Sequence, residues 1–166
     1  VFDDRSCSQY FMSVQSSGDT QLNVRKLFYG EDFSFQNKLY SLMRPEERRR
    51  YYQELISEIS CAAFETSCLK TNFETYPGFI EYSVDIPGYA VRDGEFIYFA
   101  LPISRKSLFS LRSDERTNPL YFDRHTSQKS IVETKIPSDF EIVVFPEDIF
   151  RSGIAETKVD FKVDVG

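Results

Sequence analysis

Tryptophan is absent from the 166 residues, histidine occurs once and cysteine three times. Each shortage closes off a kind of chemistry. A closed zinc site takes about four His or Cys ligands, and one histidine with scattered cysteines and irregular carboxylates does not supply them. Cys7, Cys61 and Cys68 are odd in number and unevenly spaced, which is neither a disulfide framework nor a metal pattern. Cys61 and Cys68 are close enough in sequence to pair, but the three are read as buried free thiols. His125 stands in the polar connection "FDRHTSQK" and is read as an exposed loop histidine. Nucleophilic catalysis by cysteine would need it beside a thiolate. No cysteine sits in a small-residue turn that opens a helix. Glycines are few, and Gly88 and Gly94 fall in strand turns rather than in a phosphate-cradling loop. The carboxylate pairs Asp3-Asp4, Glu31-Asp32 and Glu147-Asp148 lie at expected turns, where solvation accounts for them.

Long apolar runs are also missing. The strongest, "FIYFALPI" from Phe96 to Ile103, contains Pro102 and falls far short of the roughly 20 residues of a membrane-spanning helix. Positive charge is in deficit, with 20 Lys and Arg against 26 Asp and Glu, a net charge of −6 and a pI near 4.9. Such a chain lacks the field that draws proteins onto phosphate backbones or anionic membranes. The N-terminus "VFDDRSCSQYF" shows no basic start before an apolar stretch, so no signal peptide is visible. The chain is read as an excised or processed piece, which leaves the parent protein's leader open.

What is present is aromatic: 16 Phe and 10 Tyr, residues that favour strands and supply a core. "SQYFMSVQ" and "TQLNVRKLFYG" flank the turn "SSGD" and read as an antiparallel hairpin. "EDFSFQNKLYSLM" reads as a polar connection. "RPEERRRYYQELISEIS", Arg44 to Ser60, reads as the main helix, about 45–60. Pro45 suits the first turn, and Glu46 and Glu47 suit the helix dipole. Tyr52, Leu55, Ile56, Ile59 and Ala63 recur at three and four as one apolar stripe. Arg48, Arg49 and Arg50 fall outside that stripe, with Glu46 and Glu54 four residues from Arg50, the spacing of helix ion pairs. The triple arginine is therefore read as a solvated helix face.

Strands follow in "CLKTNFETY", "FIEYSVDIPGYAV" and, across the hairpin signal Asp93-Gly94, "EFIYFALPI". Residues 104–117 read as a connector. "NPLYF", "SIVETKI", "FEIVVFP" and "AETKVDFKVDV" read as four more strands, with "PSD" (Pro137 to Asp139) as a turn. The fold class is α+β and mostly antiparallel. One main helix packs on a β meander in 1–103, and a β-sandwich-like part follows in 118–166, the two able to pack as one unit. Within the meander, Tyr82, Tyr89 and Tyr98 are the candidate binding residues, if an aromatic sheet face is exposed to sugar or peptide.

The ordered segments "QLNVRKLFYG", "RPEERRRYYQELIS", "IEYSVDIPGYAVRDGEFIYFALP", "RTNPLYF" and "IPSDFEIVVFPEDI" resemble, from about Gly18 to Val165, an uncharacterised region of bacterial proteins. That region lies C-terminal to transglutaminase-like, papain-like cysteine peptidase domains, often in envelope proteins of Bacteroidetes. The resemblance implies a non-catalytic accessory domain without cofactor or metal, whose partner is the transglutaminase-like core of the same polypeptide. It also implies a periplasmic or cell-envelope location. The family's catalytic Cys, His and Asp belong to the core, and Cys7, Cys61, Cys68 and His125 match none of them. The family region runs on for further strands past "VDFKVDV", where this sequence ends, and the edge there is expected to be exposed. Two rival readings stand beside this one: a cell-surface module binding carbohydrate or peptide, and a small enzyme built on His125.

Overall fold

The computed structural model describes residues 5–102, 127–144, 149–151 and 157–159. In chain order the elements are β1 (Arg5–Val14), β2 (Thr20–Phe28), α1 (Gly30–Leu42), α2 (Pro45–Ser57), β3 (Phe64–Glu65), β4 (Lys70–Asn72), β5 (Gly78–Ile86), β6 (Val91–Asp93), β7 (Phe96–Tyr98), β8 (Ser127–Lys135), β9 (Ile149–Arg151) and β10 (Thr157–Val159). They fall into two compact units, Val1–Ile136 and Pro137–Gly166. The α+β, mostly antiparallel expectation agrees with this inventory.

The first unit is built on a six-stranded sheet in the order β3-β5-β2-β1-β8, with β4 also paired to β5. β1 and β2 form the expected antiparallel hairpin, Tyr10 opposite Val24 and Met12 opposite Leu22. β5 runs antiparallel to β2 on its other side, Val84 opposite Leu22. β8 lies parallel to β1, Ser8 beside Ser130, so a segment expected in the C-terminal part completes the N-terminal sheet.

Alternation along β2 and β5, broken only at Lys26 and Leu27, sends every second side chain inward. Leu22, Val24, Ile80, Tyr82, Val84 and Ile86 are all at most 1% exposed, and each such aliphatic side chain contributes about 1.5–3 kcal/mol by leaving water. The other face is polar and tied across strands. Ser83 Oγ donates to Asn23 Oδ1 at 2.6 Å and Gln21 Nε2 to Asp85 Oδ1 at 3.3 Å. Glu81 sits 3.9 Å from Arg25 and 3.5 Å from Lys70.

α2 forms as its sequence dictates. Pro45 opens it, and the Arg44 amide donates to Glu47 Oε2 at 2.7 Å, satisfying one otherwise orphan N–H at the helix start. Tyr52, Leu55 and Ile56 are buried, while Arg48, Arg49 and Arg50 are exposed. The helix ends at Ser57 rather than near Ser60. Arg48 departs from the expected surface role by donating to the Tyr40 carbonyl at 2.8 Å, which ties the two helices together.

The expectation of one main helix needs correction, because residues 31–42, read as a connection, belong to α1. This helix carries no apolar stripe. Among its residues Tyr40 is buried, whereas Phe35 and Leu42 are 64% and 71% exposed. It is held by aromatic contacts instead: Tyr40 stacks on Phe73 at 5.0 Å and meets Tyr51 edge-on at 5.6 Å. Such pairs add about 0.5–1.5 kcal/mol each beyond the area they bury.

The expected strand 68–76 shrinks to Lys70–Asn72. Asn72 Oδ1 accepts from the Glu74 and Thr75 amides at 3.0 and 3.4 Å, an Asx turn that ends the ladder. In the second unit, Phe140 N–H donates to Pro137 O at 3.1 Å, the expected turn. β9 and β10 pair antiparallel, Phe150 opposite Lys158. Of the strand expected from Phe140 to Pro146, the described residues 140–144 are not a strand. A strand needs a neighbour to take its backbone bonds, and no ladder among the described residues includes them. The expected connector 104–117 and strand Asn118 to Phe122 lie outside the described residues, as does most of Ala155 to Val165.

Candidate functional site

β6 and β7 stand apart from the large sheet as a two-stranded hairpin. Gly94, at φ 60°, and Glu95 form the two-residue loop, which the glycine permits because a Cβ disfavours that backbone region. Val91 pairs with Tyr98 and Asp93 with Phe96. Directly opposed residues and residues two apart share a face, so Val91, Asp93, Phe96 and Tyr98 all point one way. Their apolar members are 63%, 50% and 57% exposed for Val91, Phe96 and Tyr98. The opposite face carries Ile97, partly buried against the core. The hairpin thus anchors through one side chain and presents an aliphatic-aromatic face outward. Its two rings lie 6.3 Å apart with planes inclined at 37°.

The base of this hairpin is fixed by two turns that meet. Gly18, at φ 92°, offers its carbonyl to the Ala90 amide at 2.9 Å, and Asp19 Oδ1 accepts from the Gly88 amide at 2.9 Å. Ser17 Oγ donates to the other Asp19 oxygen at 2.9 Å. Ala90, buried at 4% exposure, immediately precedes β6. Above it, Tyr89 donates its hydroxyl to the Ala100 carbonyl at 2.9 Å and closes the neck of the hairpin.

The Gly88 N–H, and then the Ser17 hydroxyl, hold the Asp19 carboxyl below its ordinary value of 3.8. A depressed carboxylate stabilises the fold above its unfolded pKa, and that contribution disappears as pH falls through the folded value. Asp19→Asn keeps an acceptor but not the charge. Its stability deficit is expected at neutral pH and should close as the pH falls through the lowered carboxyl value. Urea unfolding of both proteins across that range measures it, and a deficit unchanged by acid would show that the charge contributes nothing.

Of the three tyrosines proposed from sequence, the structure leaves Tyr98 on an exposed face. Tyr89 is half-buried in the hairpin neck. Tyr82 is 1% exposed and meets Tyr52 edge-on at 5.6 Å, so it cannot belong to a surface platform. Burial pushes its phenol well above the usual tyrosine range. Tyr52 donates to the Ser67 carbonyl at 2.6 Å and is pushed up to about 12, by burial first and then by Glu65 and Cys68. Among the other meander aromatics, Tyr76 is 60% exposed and packs edge-on to Phe33 at 5.3 Å. Phe79 lies under the Arg25 guanidinium at 5.3 Å.

The cysteines are free, but not buried as expected: Cys61 and Cys68 are exposed and Cys7 is half-buried. Cys7 faces the polar side of an edge-proximal strand, and the other two lie in loops, which explains the difference. Cys68 borders a groove of about 240 Å³ with Arg48, Arg49 and Tyr52. Glu31 and Asp32 occupy the first turn of α1, where the helix dipole favours acids. His125, Asp3-Asp4 and Glu147-Asp148 lie outside the described residues. Among the described residues no group of three or more His, Cys, Asp or Glu is arranged to hold a metal ion, and no helix is long and apolar enough to cross a membrane.

Comparison with family models, curated proteins and solved structures finds no match to the chain.

Proposed function

We propose that this chain is a non-catalytic accessory domain of a transglutaminase-like envelope protein, and that the β6–β7 hairpin is its contact with the catalytic core. The observation that carries the reading is the outward face of Val91, Phe96 and Tyr98, each at least half exposed on a hairpin whose base is clamped by Gly18 and Asp19. Exposed aromatic and aliphatic side chains held in a rigid frame suit a protein surface, because little ordering is left to be done on association. The mixed chemistry of the face and the 37° between its rings favour a protein neighbour over a sugar, which stacks best on flat platforms. Residues 137–166 are assigned to the same accessory domain as its sandwich-like part, β8 belonging to the main sheet. Catalysis is assigned to the attached core.

An immunoblot of source cells with an antibody to this chain tests the first half of the proposal. A band several times larger than 19.4 kDa is expected, and a band at that mass overturns it. The paired change Phe96→Ser and Tyr98→Ser tests the second half. These residues face outward, so the isolated domain should lose no more than about 0.5 kcal/mol. In the native-length protein, backbone amides 91–98 should exchange with solvent at least tenfold faster than in wild type. Equal exchange in the two proteins would remove the hairpin from the interface.

A further inference from the structure

The two edges of the main sheet differ in construction. One is broken into β3, of two residues, and β4, of three; between them Ser67 Oγ accepts the Ser83 amide at 2.9 Å. Short, interrupted edges resist pairing with other chains. The opposite edge is β8, nine residues long, and among the described residues its one strand neighbour is β1.

The register of β8 fixes its faces. Lys129, Ile131 and Glu133 lie beside Cys7, Gln9 and Phe11, on the sheet's polar side. Lys129 and Glu133 are exposed. β1 offers each an uncharged neighbour, and neither forms an ion pair with a described residue. Edge lysines ordinarily repel other strands. Here a glutamate stands at the position that a two-fold axis would bring opposite the lysine.

We propose that β8 pairs antiparallel with β8 of a second copy, about a two-fold axis through Ile131 and perpendicular to the sheet. That operation keeps the two polar faces on one side. It sets Ile131 against Ile131 and Lys129 against Glu133 of the second copy, twice by symmetry. A slip of two residues toward the C-terminus would instead oppose Lys129 to Lys135, so charge selects the register. The result is one continuous sheet across both copies, a β-augmentation by self.

Sedimentation equilibrium of the 166-residue chain, over micromolar to high micromolar concentrations, tests the pairing. A concentration-dependent dimer is expected. Lys129→Glu and Glu133→Lys should each weaken it by about tenfold or more, because each change creates two like-charge pairs. The double variant should restore wild-type association, which also shows that the single variants do not fail merely by unfolding. Circular dichroism of each single variant provides a second check on folding. A monomer at every concentration, a dimer indifferent to either reversal, or a double variant that stays dissociated would each overturn the proposal.

Discussion

Gly18→Ala is expected to lower the free energy of unfolding by about 2–4 kcal/mol, from a strained backbone region and a steric overlap acting together. At φ 92° a side chain is strained whatever the space. An added Cβ would also fall inside contact distance of the Ala90 carbonyl oxygen. That oxygen is backbone and cannot rotate away, since the Ala90 amide is bound to Gly18 O at 2.9 Å. Gly88→Ala separates the two causes. Gly88 has φ 59° but nothing within 4 Å of its missing Cβ, so strain alone should cost about 1 kcal/mol. Urea titration of the three proteins gives the difference. If Gly18→Ala loses no more than Gly88→Ala, the two turns are not rigidly joined.

Leu22→Ala should cost still more, about 3–5 kcal/mol, the upper range for a leucine whose cavity cannot collapse. Leu22 is 0% exposed and lies between Met12 and Val84 on neighbouring strands, themselves 2% and 0% exposed. Ladders on both sides hold the backbone in place, so the walls have little freedom to close in. A domain of this size holds roughly 5–15 kcal/mol in all, and the variant should unfold at a markedly lower urea concentration. Leu42→Ala is the matched control. At 71% exposure, it should change stability by no more than about 0.5 kcal/mol. Equal losses at the two sites would mean that the core does not lie on the inner face of β2.

Much of this arrangement is legible in the sequence where one periodicity acts alone. β2 and β5 alternate without exception over most of their length, and α2 combines a proline start, acidic first turn and apolar stripe. α1 escapes because its stability comes from Tyr40, Tyr51 and Phe73 packing across distant segments, and no stripe in residues 30–42 records that. The binding-face proposal went wrong at Tyr82 for a readable reason. Tyr82 shares parity with Ile80, Val84 and Ile86, and parity in a one-sided sheet decides burial. The same rule picks out Phe96 and Tyr98 together, with Val91 joining them once the register across Gly94-Glu95 is known. The meeting of Gly18 and Asp19 with Gly88 and Ala90 had no local signal, since turn residues announce a turn and not its neighbour.

The parallel ladder between β1 and β8 sets an order of events during synthesis. Arg5 pairs with Ser127, so roughly 120 residues must leave the ribosome before β1 acquires its second neighbour, about 10 s at ordinary translation rates. The hairpin with β2 and the arrival of β5 can organise earlier, because their partners are closer along the chain. Through that interval one flank of β1 stays an open template on the nascent chain.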